Sequence, residues 1–354
     1  MAETRALVKS LFSLTKPRVV VLLQITAMCA ILSHDLIETN KINQSTLEVM
    51  MIVFIGGYLT AGGANCINMW YDRDIDPIMT RTSKRPLSVG DITPKKALLF
   101  GISISIIGTL WLLKMANEVA AFWALFSILF YVFIYTIWLK RTSVQNIVIG
   151  GIAGSTPPVI GWAAAEGELE LEFSSAHDFI DSIVNIGGYM PWFMFLLIFL
   201  WTPPHFWALA LYRSGEYEKV GVPMMPNVKG KGRTLIEMKI YSILLILLSL
   251  TTPLAFQEKS NWIELSDLDF NISLAVINSL ILSIWYVLTV WKININDEND
   301  IMPTASHSFF VSLTYLAVMF IILVLTSINF VIKGSIVSTV LVLYIILRKR
   351  GGKE

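Results

Sequence analysis

Apolar runs of about 18 residues or more recur from one end of this chain to the other. Each is long enough to carry an α-helix across the ~30 Å hydrocarbon layer of a bilayer. Inside that layer every backbone N–H and C=O needs a partner within the protein, so only helices or a closed barrel can cross. Runs this long and this continuously apolar specify helices, and the expected fold is an all-α, polytopic membrane helix bundle. Composition agrees: 55% of the 354 residues are hydrophobic and 15% charged, against about 25% charged in soluble domains.

The expected spans are 17–34, 46–70, 95–114, 119–138, 144–164, 188–212, 236–256, 270–291 and 306–329, with a shorter apolar run at 334–347. Residues 1–330 are read as one transmembrane domain, and 331–354 as a C-terminal apolar segment with a basic tail. Leu7, Val8, Leu11, Phe12 and Leu14, set among Arg5 and Lys9, suit a short helix lying in the interface. Orientation follows from Lys and Arg. With the N-terminus inside, the inner segments hold Arg5, Lys9, Lys16 and Arg18, then six basic residues at 71–96, Lys140 and Arg141, six more at 213–239, and Lys292. The outer segments hold Lys41, Lys114, Lys259 and Lys333, and the 165–187 loop carries six acids and no base. Arg348-Lys349-Arg350 would reach the inner side only if 334–347 crosses as a tenth span; the alternative is nine spans with an interfacial tail. The first apolar run has no cleavage site after it and no Arg- and Ser-rich transit peptide before it, so a prokaryotic plasma membrane is the expected location.

Where the second span ends, charge appears abruptly: Asn68, Asp72, Asp74 and Asp76, then Arg81, Lys84 and Arg85. If the helix continues to Pro77, Asn68, Asp72 and Asp76 stack on one face at i, i+4 and i+8. Like charges at that spacing repel, more so where solvent screens them poorly. A divalent cation converts the penalty into attraction, and Mg²⁺ takes one or two protein carboxylates with water and phosphate oxygens completing its shell. The basic residues just downstream are the partners that a phosphate requires. The bland reading, a solvated helix end, suits Asp74; for the rest, the pattern points to a metal–diphosphate site.

A second polar stretch follows Pro203-Pro204. His205, Tyr212 and Glu216 fall at i, i+7 and i+11, one helical stripe, and Lys229, Lys231 and Arg233 come after it. An ionisable group within a span is a functional candidate by default, although a hydrogen-bonded packing histidine is the rival reading for His205 alone. Pro157-Pro158 and Pro203-Pro204 are expected to interrupt spans five and six. Gly62-Gly63 and the Gly150/Gly154 pair mark close helix packing. Lys140-Arg141 reads equally as topological anchor or substrate contact. Cys29 and Cys66 fit no metal or redox spacing, His34, His177 and His307 receive no role, and a net charge of +1 gives no nucleic-acid footprint.

The Asn68-x-x-x-Asp72-x-x-x-Asp76 array with Arg81-Thr82 and Arg85-Pro86 resembles the first Asp-rich motif of the UbiA superfamily of intramembrane prenyltransferases. Trp201-Thr202-Pro203-Pro204-His205-Phe206-Trp207-Ala208-Leu209-Ala210 and Gly221-Val222-Pro223-Met224-Met225-Pro226 resemble its protohaem IX farnesyltransferase branch. Thr15-Lys16-Pro17-Arg18 and Gly150-Gly151-x-x-Gly154-x-x-Pro157-Pro158 do likewise. Glu216 departs from the pattern, where Asp is more usual. The resemblance implies a UbiA-type bundle of nine helices that converts farnesyl diphosphate, haem B and water into haem O and pyrophosphate. It implies Mg²⁺ held by Asn68, Asp72 and Asp76, and diphosphate held by Arg81, Lys84 and Arg85, with Arg213 and Lys140 as weaker contacts. Asp72, Asp76, His205 and Glu216 are then the catalytic set, and Trp70, Trp207 and Tyr212 candidates to face a farnesyl cation. Haem A synthase or a terminal oxidase assembly becomes the expected partner class. The rival readings are another UbiA enzyme with a quinone-precursor or lipid acceptor, a transporter, and a haem-carrying electron-transfer protein. The histidine argues against the first, the gathering of acids at one mouth against the second, and the lack of paired intramembrane histidines against the third.

Overall fold

The computed structural model describes residues 2–256, 270–296, 302–328 and 333–351, and among them there is no strand. Helix α1 (Ala2–Leu14) leads into α2 (Pro17–Glu38), whose first turn starts at a proline that needs no N–H partner. Leu7, Val8 and Phe12 of α1 are exposed, while Leu14 is buried. Helix α3 (Gln44–Tyr71) starts at a capping box between Asn43 and Thr46. It is followed by α4 (Pro94–Met115) and α5 (Glu118–Leu129).

The fourth span then changes character. Residues Phe130–Leu139 wind as a π-helix before α6 (Lys140–Thr142). Next come α7 (Asn146–Ser155) and α8 (Pro157–Ala165), which break at Thr156 as the proline pair requires. After α9 (Ala176–Val184), α10 (Met190–Tyr212) runs through Pro203 and Pro204 as one helix, contrary to the expected interruption. A proline's fixed φ is itself helical, and both rings are buried in the bundle, so packing holds the rod together. Helices α11 (Ser214–Glu218), α12 (Met225–Leu250), α13 (Thr252–Ala255), α14 (Phe270–Trp291), α15 (Pro303–Ser327) and α16 (Lys333–Gly351) complete the chain.

Eight helices among the described residues are long and apolar enough to cross a bilayer. The expected span at 236–256 is not one of them: α12 begins earlier, bends at Gly230 (φ 81°) and carries Arg233, Glu237 and Lys239. Lys259, expected in an outer segment, lies outside the described residues.

The helices pack as two groups. Helices α2, α3, α4, α5 and α8 form one, and α10, α12, α14 and α15 the other; α7 against α10 and α2 against α15 join them. Helices α3 and α4 meet almost backbone to backbone. A Cβ on Gly63 would come within 2.1 Å of Ser105 Oγ, and one on Gly108 within 2.7 Å of Leu59. Gly150 lies flush against Tyr135 in the same way, but a Cβ on Gly154 would meet nothing within 4 Å, so the expected close packing holds at only one of that pair.

Candidate active site

The charged stretch after α3 does not continue the helix to Pro77. Helix α3 stops at Tyr71, and Asp72–Asp74 tighten into a 3₁₀ turn, from which the chain proceeds by successive turns to α4. Asp76 N still donates to Asp72 O at 2.9 Å, so the two acids stay about one turn apart. Both are buried, Asp72 completely. Each meets a cation instead of its neighbour. Lys140 Nζ donates to Asp72 Oδ2, and Arg85 Nη1 donates to Asp76 Oδ2 at 2.6 Å.

Asn68 ties the cluster together. Its Nδ2 donates to Asp72 Oδ2 and to Thr136 Oγ1, both at 3.1 Å, while its Oδ1 accepts from Lys16 Nζ at 2.7 Å. Burial, aided by Arg85 and Lys140, pushes the Lys16 ammonium down to about 7 against the pull of Asp72 and Asp76. Hydrogen bonds thus join Lys16, Asn68, Asp72 and Lys140 into one cluster, with the Asp76–Arg85 pair one turn further on. Arg85 and Lys140 each offset one carboxylate there, and Lys16, held near the middle of its titration, adds a third basic group. One carboxylate oxygen, Asp72 Oδ1, is buried without a hydrogen bond; Arg141 Nη2 stands 3.6 Å from it.

The π-helix is what delivers one side of this cluster. In i→i+5 winding, residues four and five apart become neighbours, which sets Tyr131, Tyr135, Thr136 and Lys140 along one flank. Tyr131 and Tyr135 stack with centroids 5.3 Å apart, and both lie within reach of the Asp72 charge. Arg141 grips Asp74 through two bonds of 2.7 Å and donates to Tyr71 O, so Lys140-Arg141 fastens the end of the fourth span to the end of α3. Arg81 and Lys84 are exposed beside the cluster, and Arg81 acts on Tyr135.

The second polar stretch is arranged differently. Helix α10 ends at Tyr212, and Arg213 (φ −125°, ψ 22°) separates it from α11, so His205, Tyr212 and Glu216 do not form one continuous stripe. His205 is buried and sandwiched between Trp201 and Phe309, at centroid distances of 4.1 and 4.5 Å. Its Nδ1 lies 2.6 Å from Ser312 Oγ, whose own proton goes to Phe309 O. A hydroxyl has one proton, so with that proton on Phe309 O the pairing has Nδ1 donating and Nε2 as the acceptor. Tyr212 packs edge-on to Phe309, and Trp207 is fully buried against Tyr241, whereas Trp70 lies under Arg73. Glu216 accepts from Arg213 at 2.9 Å, which holds that guanidinium's pKa up, and Glu216 Oε2 is buried with no hydrogen bond. Tyr217 brings this stretch toward the first cluster, within reach of Tyr135, and Asn146 Nδ2 donates to Pro223 O at 3.3 Å to hold the following loop.

Sequence reasoning left Lys16, Tyr131, Tyr135, Thr136 and Ser312 without roles. Lys16 had a signal, a cation one residue before the proline that opens α2. The others lie in runs that read as ordinary span, and Ser312 is 107 residues from its partner.

For a metal, the observations divide. Asp72 and Asp76 offer the hard oxygen donors that Mg²⁺ favours, and Asp72 Oδ1 is buried and free of hydrogen bonds. Asn68 Oδ1, however, is engaged by Lys16, and no group of three or more His, Cys, Asp or Glu among the described residues is arranged to hold an ion. The two carboxylates therefore fit a divalent ion, and the amide fits only once Lys16 moves to another anion.

Comparison with known proteins is consistent across sequence and fold. Residues 25–313 match the UbiA prenyltransferase family. A protoheme IX farnesyltransferase of Bartonella tribocorum is 40% identical over 310 residues, 87% of each chain. One from Symbiobacterium thermophilum is 45% identical over 244 residues, 69% of this chain and 74% of that one. Among solved structures, a UbiA homolog from Archaeoglobus fulgidus bound to DMAPP and Mg²⁺ superposes with a TM-score of 0.57 at 15% identity, covering 90% of this chain and 99% of that one.

Proposed function

The chain belongs to the UbiA prenyltransferase family, and on that premise we propose that it is a farnesyltransferase acting on haem B. Farnesyl diphosphate loses pyrophosphate, its C1 joins a vinyl group of haem B, and water adds to the resulting cation, giving haem O. The names carried by relatives at 40% and 45% identity support the acceptor. The observation that carries the chemistry is the cluster of buried Asp72, Asp76 and Asn68 hydrogen-bonded to Lys16, Arg85 and Lys140.

Cleavage of an allylic C–O bond leaves charge on the departing pyrophosphate, so donors fixed at that oxygen lower the barrier. Arg85, Lys140 and Lys16, with Arg81 and Lys84 at the rim, supply those donors to an anionic substrate. Asp72 and Asp76, joined by Asn68 when Lys16 turns to the diphosphate, would hold Mg²⁺, which when bound adds positive charge at the phosphates. The stacked Tyr131 and Tyr135 rings, on the flank that also carries Lys140, suit an allylic cation, and the surrounding bundle excludes water until the bond has formed. His205 and Glu216 close the opposite side, with His205 Nε2 as a lone-pair acceptor and Arg213 orienting Glu216.

The protein is a multi-pass membrane protein. We place it in the cell membrane with its N-terminus and this cluster on the cytoplasmic side, since the basic loops gather at that end. Haem A synthase or a terminal oxidase assembly is the partner class that this product implies. The test is direct: protein reconstituted in lipid nanodiscs should convert haem B and farnesyl diphosphate to haem O only when Mg²⁺ is supplied, read by chromatography and mass of the extracted pigment. Unchanged haem B with every prenyl diphosphate tried would overturn the acceptor assignment.

A further inference from the structure

On the outer flank of the first helix group an apolar groove of about 450 Å³ runs between α3, α4 and the fourth span. Its floor includes Ser105, Ile128 and Val132, all buried, and its rims are lipid-facing side chains such as Ile106 and Phe133. Beside it, α4 is drawn tightly onto α3 by the glycine contacts at Gly63 and Gly108. Along α4 it extends from Leu98 to Leu110, about 18 Å at 1.5 Å per residue. One leaflet's share of the ~30 Å hydrocarbon is about 15 Å, so the groove matches one acyl layer and not the whole membrane.

Its end at the Asp72 side is cationic. Arg73 lies 4.8 Å over the ring of Trp70, a groove residue. Lys95 precedes Leu98 by three positions and Ile102 by seven, so it continues the groove-facing stripe of α4. Both cations are exposed, and Asp74, the acid beside Arg73 in the chain, is committed to Arg141. Trp138, 60% exposed one position beyond the groove residue Ile137, marks the same level as an interfacial aromatic would. Arg73 keeps Nη1 on Trp70 O at 2.7 Å, which fixes the guanidinium over the ring and leaves its other N–H groups facing out; a lipid-length apolar slot ending in two exposed cations at headgroup level has the form of a specific anionic-lipid site.

We propose that this groove binds one anionic phospholipid of the leaflet on the active-site side, an acyl chain lying along α4 and the phosphate held between Arg73 and Lys95. The site is separate from the prenyl-transfer chamber, and it does not rest on the identity of the acceptor. Native mass spectrometry of the full-length protein, equilibrated with equal amounts of phosphatidylglycerol and phosphatidylcholine of the same chain length, reads it directly. Phosphatidylglycerol should be retained in preference, and R73Q/K95Q should lower that preference by about fivefold for each cation removed. The exposed pair K219Q/K229Q, equal in charge change but remote from the groove, should leave it unaltered. Ile102→Trp, which narrows the slot, should reduce retention of both lipids. An R73Q/K95Q protein that keeps the wild-type ratio overturns the proposal, as does an equal fall in the K219Q/K229Q control. Release of the bound lipid by farnesyl diphosphate would reassign the groove to substrate.

Discussion

The two polar stretches of this chain look alike in sequence and differ in physics. Each places ionisable side chains where a long apolar helix ends and follows them with a basic loop. In the folded protein the first is a charge cluster: two buried carboxylates, each on its own cation, with a third cation on the linking amide. The second is a packing arrangement: one buried histidine stacked between aromatic rings and fixed in one tautomer by Ser312, and one glutamate on a partly exposed arginine. A buried charge cluster is expensive unless its partners are present, so the first region is poised to exchange protein ion pairs for a metal and a diphosphate. A neutral hydrogen-bonded ring has little to exchange. It shapes the opposite wall and presents a single lone pair.

The largest effects should therefore follow charge removal in the first region. Asp72→Ala should lower haem O formation by on the order of a thousandfold while the protein still inserts and elutes as a single species in detergent. Near-normal turnover would remove Asp72 from the chemistry and erase the contrast. Next, Lys140→Gln leaves the buried Asp72 with only the looser Arg141, 3.6 Å away, as a charge partner and should destabilise the protein by roughly 3 kcal/mol. Adding Asp72→Asn should restore most of that stability and none of the activity, a double-mutant cycle read by thermal unfolding in detergent. Failure of the second change to rescue would show that the pair is not coupled.

In the second region, His205→Phe keeps an aromatic ring in the stack and His205→Ala does not. We expect His205→Ala to cost about 3 kcal/mol and His205→Phe much less, while both lose turnover. Full activity in His205→Phe would make the histidine a packing residue only. Ser312→Ala should give an intermediate result, on the order of tenfold in kcat, since Nδ1 loses the acceptor that fixes its proton. A change confined to KM would count against the tautomer argument. The smallest effect belongs to Arg213→Gln. That side chain is 43% exposed, and partly exposed pairs contribute about 0.5 kcal/mol, so activity should stay within about twofold.

Much of this was legible from residue order alone. The apolar runs fixed where most helices start and stop, because lipid leaves the backbone no alternative. Asn68, Asp72 and Asp76 were recognisable as a unit from their spacing, and the fold keeps them together, Asn68 Nδ2 donating to Asp72 Oδ2 and Asp76 N to Asp72 O. The π-helix was not legible: Phe130–Leu139 has the apolar composition of any span, and winding is decided by what its side chains meet, here Asn68 at Thr136 and Gly150 at Tyr135. Nor did the proline pair at 203–204 behave as composition suggests, since burial on several sides kept α10 whole.

By itself, then, the sequence determined a membrane bundle, the end at which its charges gather, and the family to which those charges belong, because hydropathy and local spacing are properties of residue order. Only the tertiary structure decided which cation meets which acid. Lys140 and Asp72 are 68 residues apart, and Lys16 and Asn68 are 52 apart. Electrostatic energy depends on distance in space, and that distance is set by how α2, α3 and the π-wound fourth span pack together.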